Sequence, residues 1–286
     1  MAEFKSLRHF LWTLFLFTYT DFKTIVFPVT MFASIAAPVH VNGRLFYGIL
    51  WTWVHLLQVD VSNQYKSIAE DLANRPWRPL PSGRISQRSA TILRFLLVPT
   101  CVLASAPFGR EVILSSLSLT ALLVFHDEFG ASRHWAGKNF INCLGYLSFQ
   151  VGATQIMNTH SRLDYVAVQA LVFNSLIILT TIHAQDFSDV PGDQALGRVT
   201  VPIYAPNTSR IFTLVALVVW SIFLGRLWNL GPIYHSLLCV LGMAVGWRFF
   251  RFRTPTEDAK SFIAYNAWLL FTNILPAQIR WGLLSF

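Results

Sequence analysis

Charge is what this sequence has least of. Asp, Glu, Lys and Arg make up 13% of its 286 residues, about half the share usual in a soluble domain. Acidic residues are the scarcer kind, 14 against 22 basic ones. A soluble chain of this length must clothe its exterior in polar side chains. This one lacks them, so a soluble enzyme is excluded. Cysteine is rare too. Cys101, Cys143 and Cys239 lie inside apolar stretches with no CxxC pair, which excludes a disulfide framework and a thiolate metal site. Strand-like alternation is absent, which excludes a β-barrel. Disorder is excluded by an aromatic content of 15%.

What is present is long and apolar. The hydrophobic fraction is 54% and the mean hydropathy +0.49. Charge-free runs occupy residues 24–43, 45–59, 95–109, 112–125, 139–161, 165–185, 211–225, 227–247 and 261–279. A membrane-spanning helix takes about 20 residues, and the shorter runs can extend past a flanking Arg or Glu whose side chain snorkels. In lipid the backbone is satisfied only by a helix or a closed barrel. The expected fold class is therefore an all-α integral membrane protein, a bundle of about nine transmembrane helices in a single domain over residues 1–286. Residues 1–10 carry Glu3, Lys5 and Arg8, and no small-residue cleavage site follows the next apolar run, so a cleaved signal is not expected there.

The net charge of +8 is a topology signal, and no nucleic-acid partner is expected; the partner is membrane lipid. The loops after the second, fourth, sixth and eighth runs hold 14 of the Lys and Arg residues, the opposite side and the N-terminal arm 8. Cytoplasmic loops collect Lys and Arg, so the even-numbered loops should face the cytosol and the C-terminus the far side.

Five of the few acids sit in two loops on that face. The first runs from Asn63 through Glu70 and Asp71 to Arg75, Arg78 and Gly83. The second runs Asp186, Asp189, Asp193, Gly197, Arg198, Pro202. On a helical continuation Asp186, Asp189 and Asp193 fall at i, i+3 and i+7 and share one face. Like charges so placed repel, and something positive must lie opposite. A cluster of hard oxygens suits Mg²⁺, which takes the rest of its shell from water and substrate phosphates. Asn63 adds a carbonyl oxygen, Asp71 a carboxylate and Glu70 another. Arg75, Arg78, Lys138 and Arg198 are available to hold diphosphate oxygens. Two acidic loops with basic neighbours over apolar helices describe a site that grips a diphosphate and sinks a hydrocarbon tail into the bundle.

Other polar residues are weaker signals. His126, Asp127 and Glu128 close the fourth run, as a cap or as part of a site. His55 and His183 lie within spans and read as packed histidines before catalysts. Asn142, Tyr146 and Gln150 form an i, i+4, i+8 stripe that lines a pocket or joins helices.

At the two loops the sequence resembles the UbiA superfamily of intramembrane prenyltransferases. The second loop matches DxxDxxGDxxxGRxTxP at every fixed position, and Arg78-Pro-Leu-Pro-Ser-Gly83 matches the segment after the family's first motif. Lys138-Asn139 with Gly152-Ala153 looks like the family's fifth helix. The resemblance implies Mg²⁺-dependent ionisation of a prenyl diphosphate, with Asn63, Asp71, Asp186 and Asp193 at the catalytic centre. The first motif departs from NDxxDxxxD: Gln64 and Ser67 replace two carboxylates. That variant, with Thr20-Asp21-Phe22-Lys23-Thr24, looks like the membrane terpene cyclases of the superfamily known from fungi. The expectation is a cyclase that turns a linear farnesyl or geranylgeranyl diphosphate into a terpene hydrocarbon. In a eukaryote it would lie in the endoplasmic reticulum, its site facing the cytosol. The alternatives are a prenyltransferase with an aromatic or other acceptor, and a transporter, whose intramembrane charges would instead sit at the midplane.

Overall fold

The computed structural model describes residues 7–37, 43–158, 162–195 and 197–286, excepting the side chains of residues 70, 73, 74 and 132. The chain is helical almost throughout. Its helices are α1 (Leu7–Thr18), α2 (Phe27–Ala36), α3 (Arg44–Lys66), α4 (Ile68–Asn74), α5 (Gln87–Ser105), α6 (Arg110–Asp127) and α7 (Trp135–Met157). They continue with α8 (Tyr165–Thr181), α9 (Val190–Ala195), α10 (Val201–Tyr204), α11 (Pro206–Leu227), α12 (Pro232–Arg251), α13 (Pro255–Ile274) and α14 (Ala277–Trp281).

Among the described residues five segments are long and apolar enough to cross a membrane: Leu7–Ala36, Gln87–Phe108, Tyr165–Phe187, Pro206–Leu227 and Pro232–Arg251. Helices α3, α6, α7 and α13, of 23, 18, 23 and 20 residues, have the length but carry more polar groups.

Helix starts follow local chemistry. Ser86 caps α5 by accepting from the Ser89 amide at 3.1 Å, and Asp164 caps α8 through the Ala167 amide at 2.9 Å. Thr254 caps α13 by accepting from the Glu257 amide at 3.3 Å, with proline in the first turn. Helix α12 begins at Pro232, not at 227 as the apolar run suggests. The chain turns at Asn229, whose φ is +51°, and Pro232 can only start a helix.

The first long segment begins at Leu7, well before the expected residue 24. Asp21 and Lys23 interrupt the apolar run without ending the helix. Asp21 is held by the hydroxyls of Thr20 and Thr24, at 2.8 and 3.2 Å. Here the helix changes pitch, with a three-ten turn Tyr19–Asp21 and then a π turn Phe22–Val26. Pro28 has no N–H to give the Thr24 carbonyl four residues back. The Tyr146 hydroxyl donates to that carbonyl instead, at 3.2 Å. Likewise α3 runs past residue 59 to Lys66, carrying Asp60 with it.

Helix α7 packs against α2, α3, α6 and α8, and α13 returns to pack against α2, so the last long helix meets the first segment. Close approach uses small residues. A Cβ on Gly152 of α7 would stand 2.2 Å from the Trp51 ring of α3. On the loop-rich face, Arg210 forms a buried two-pronged pair with Asp258, both bonds 2.8 Å, which ties α11 to α13 beneath the second acidic loop.

Candidate active site

The first acidic loop grows from the end of α3. Asn63 is exposed. Gln64, one of the two motif departures, is buried and turned to α1: its amide donates to the Phe17 carbonyl at 2.7 Å. A carboxylate cannot make that bond. Ser67 ends α3, its hydroxyl donating to the Asn63 carbonyl at 3.0 Å. In α4, Asp71 is buried and accepts from Arg78 at 2.7 Å; Arg78 is itself 8% exposed. Arg75 is exposed. Glu70 lies in α4, its side chain outside those described.

The second loop does not continue α8 as an α-helix. It tightens to a three-ten helix, Ile182–Phe187, then turns into α9. The expected single face of three carboxylates is thereby broken up. Asp186 and Asp193 are buried, 1% and 3% exposed, and converge on Lys138 of α7. Lys138 donates to Asp186 at 2.6 Å and lies 3.8 Å from Asp193. Arg198 donates to the other oxygen of Asp193 at 3.2 Å, after a left-handed turn at Gly197 with φ +67°. Asp189 stands apart from this pair, exposed, beside the Ser188 hydroxyl.

The segment between α6 and α7 joins the loops. The Arg133 carbonyl accepts from the Val199 amide at 2.9 Å. A polar vestibule of about 470 Å³ opens here, walled by Asn63 and Lys66 of the first loop, Arg198 of the second, and Asp127, Glu128 and Arg133 between them. Below it lies an apolar cavity of about 150 Å³, walled by Ile25, Leu119, Leu122, Ile141 and Phe149. Asn63 and His126 line both. Asn142 and Tyr146 of the α7 stripe line the apolar cavity; Gln150 is buried outside its wall.

Several buried oxygens around the loops have no partner: one each on Asp71, Asp186 and Asp193, and the Asn139 carbonyl oxygen. Buried polar atoms are normally paired. Hard oxygens left over in this way fit a divalent cation. Among the described residues no three His, Cys, Asp or Glu side chains form a metal-binding group, so a cation here would need oxygens from other groups, such as a bound phosphate, to complete its shell.

Sequence reasoning missed Asp60, a buried carboxylate on α3 with one unpaired oxygen; an Asp inside a span was the available signal. It also missed the brace at the vestibule rim. Lys66 and Arg94 donate to the two oxygens of Glu128 at 2.8 and 2.6 Å. The bond from Lys66 and then that from Arg94 hold the Glu128 carboxyl down at about 2. His55 and His183 are packed. His55 bonds the Trp51 carbonyl and the Ser116 hydroxyl, both at 2.8 Å, and His183 the Thr213 hydroxyl at 2.9 Å.

The profile of the UbiA prenyltransferase family matches residues 25–274. The fumagillin beta-trans-bergamotene synthase of Aspergillus fumigatus is 31% identical over 274 residues, covering 93% of this chain and 92% of its own. The polyprenyl transferase eriF of Hericium erinaceus is 26% identical, covering 99% and 100%. Among solved structures, a UbiA homolog from Archaeoglobus fulgidus bound to GPP and Mg²⁺ superposes with a TM-score of 0.61 at 13% identity, over 97% of this chain and all of that one. At that identity it shows a shared fold.

Proposed function

The chain belongs to the UbiA prenyltransferase family, and from that premise we propose that it is a membrane terpene cyclase, ionising a linear prenyl diphosphate with Mg²⁺ and closing the cation on its own double bonds. The observation that carries the reading is a polar vestibule and an apolar cavity that share Asn63 and His126 in their walls. A diphosphate suits the first and a hydrocarbon tail the second.

Asp71, Asp186 and Asp193 are the groups to hold metal, with Asn63, Asp189 and Glu70 as further candidate oxygens from the same two loops. Bound there, Mg²⁺ stabilises the charge that gathers on the departing diphosphate. Arg78 and Lys138, positioned by Asp71 and Asp186, and Arg75 and Arg198 donate to its oxygens. Phe149, Tyr146 and the leucines of the cavity exclude water, which would quench the cation to an alcohol. The aromatic faces also favour a cation.

The cyclase relative, alike over nearly the full length, supports this reading over acceptor prenylation. So does the first loop, where Gln64 serves α1 in place of a metal. The transferase relative, alike over the whole length, favours the second reading, a prenyltransferase. In either case the nine long helical segments among the described residues cross the membrane, and the site faces the cytosol, in a eukaryote at the endoplasmic reticulum. The test is purified protein with farnesyl or geranylgeranyl diphosphate and Mg²⁺, no acceptor present. A cyclic hydrocarbon with stoichiometric diphosphate is expected. Only linear alcohol, with a prenylated adduct once an aromatic acceptor is added, gives the second reading.

A further inference from the structure

Glycine is a poor choice inside a helix, because it costs more to order than alanine and packs no side chain. Among the described residues seven glycines nonetheless lie in the long helices. Six have an evident reason. A Cβ on Gly48, Gly137, Gly152, Gly225, Gly242 or Gly246 would stand 2.2 to 2.7 Å from an atom of another element, so these glycines let segments approach closely. Gly145 of α7 is the exception. A Cβ there would meet nothing within 4 Å. The residue lies inside continuous helix, and its φ is not positive. Neither packing nor backbone conformation calls for glycine at this position.

What Gly145 borders is the apolar cavity. The α7 residues in that wall are Ile141, Asn142, Gly145, Tyr146 and Phe149. They fall at i, i+1, i+4, i+5 and i+8 along one face, with Gly145 in the middle. Lys138, which donates to Asp186 of the second acidic loop, stands seven residues earlier on the same face. At about 1.5 Å per residue, Gly145 lies about 10 Å along the helix from Lys138 and Phe149 about 16 Å. Phe149 is buried and meets the Trp51 ring edge to face at 6.4 Å. The Trp51 indole donates in turn to the Ser105 hydroxyl at 2.8 Å. The deep end of the wall is braced, and the open space lies one turn above it.

We propose that Gly145 is a specificity-determining residue: its missing side chain leaves the room in which the hydrocarbon tail lies between the acidic loops and Phe149, and so sets the tail length that the protein accepts. A tail anchored by its diphosphate near Lys138 passes Gly145 before it reaches Phe149. A short tail fills the upper part of the cavity, while a longer one must run past Gly145 or turn there. A side chain at this position takes space from the longer tails first.

The inference rests on the prenyl diphosphate reading, cyclase and transferase alike, and one experiment separates the two. Wild type, Gly145→Ala and Gly145→Val, purified in detergent, are given Mg²⁺ with geranyl, farnesyl or geranylgeranyl diphosphate in turn. Diphosphate release is measured for each, and the unfolding temperature of each protein beside it. In Gly145→Val the kcat/KM for the longer tails relative to geranyl diphosphate should fall on the order of tenfold, the usual discrimination of an apolar pocket against a group or two too many. Gly145→Ala should shift it the same way by less. Neither variant should unfold at a lower temperature than wild type, since both residues suit a helix better than glycine. Wild-type ratios in both variants overturn the proposal. So does a fall of all three rates together with the unfolding temperature, which would make Gly145 a packing glycine like the other six. A wild type that releases diphosphate from none of the three removes the prenyl diphosphate reading, and this inference with it.

Discussion

A buried carboxylate that keeps one oxygen unpaired is held for something, because an uncompensated charge in a bundle interior is costly. Asp71, Asp186 and Asp193 share this condition, each with one oxygen hydrogen-bonded to a basic partner and one without a hydrogen bond, that of Asp193 lying 3.8 Å from Lys138. Alanine at any of them should cut turnover on the order of a hundredfold, about 3 kcal/mol of barrier, if, as proposed, each is a ligand of the ion that stabilises the leaving group. Steady-state rates in EDTA-stripped membranes across a Mg²⁺ titration check this. Near-normal rates in any two would sink the metal assignment. Asp189 is the discriminating position. Exposed and apart from Lys138, it should cost less than Asp186 when replaced; an equal loss would mean that the loop closes around the substrate. At Arg78 the Lys variant keeps the charge but loses the planar fork, and a tenfold or greater loss of rate, on the order of one hydrogen bond to a charged group, is expected. Wild-type rates there would reduce Arg78 to a point charge.

At the scale of elements, the end of α1 explains a departure that sequence alone could read only as a lost ligand. Gln64 supplies an N–H to the Phe17 carbonyl, where the helix changes pitch ahead of the π turn. Gln64→Glu returns the type of group the family motif expects, yet it strips the donor and buries an acid. A destabilisation of about 1–3 kcal/mol is expected, read as a lower unfolding temperature in detergent; undiminished stability in that variant would show that the bond counts for little. Much else was legible. The apolar runs mark the long helices, and the aspartates, Lys138 and Arg198 were all singled out from spacing. What spacing could not show was pitch. Residues at i, i+3 and i+7 share a face along one continuous α-helix; here the chain passes from the three-ten segment Ile182–Phe187 through a turn into α9, and Asp189, in that turn, is exposed while Asp186 and Asp193 are buried. Nor could charge-free runs show where helices end. Asp21 hides in threonine hydroxyls and Asp60 is buried between helices, so α1 starts early and α3 ends late. The pairing of Glu128 with Lys66 and Arg94 depends on contacts 62 and 34 residues apart in the chain, which local pattern does not carry.

At the scale of the whole molecule, the charge asymmetry and the site make the same demand. The vestibule is rimmed by Lys66, Arg133 and Arg198, and these belong to the loops that hold the larger share of Lys and Arg. A charged diphosphate cannot cross the bilayer to reach its site, while its tail can enter from the lipid. The mouth must therefore open to the compartment that holds the substrate, which in the orientation proposed from the positive-inside tendency is the cytosol. Single cysteines introduced at Ser82 and Asn207, near the ends of even-numbered loops, should react with a membrane-impermeant maleimide from the cytosolic side of sealed vesicles. One at Arg162, on the opposite side, should react only after the membrane is opened. The native thiols Cys101 and Cys143 are buried and, with Cys239 replaced by alanine, should stay silent. Labelling of Ser82→Cys and Asn207→Cys only from the lumenal side would invert the orientation, and the vestibule would then face a compartment that the basic loops should avoid.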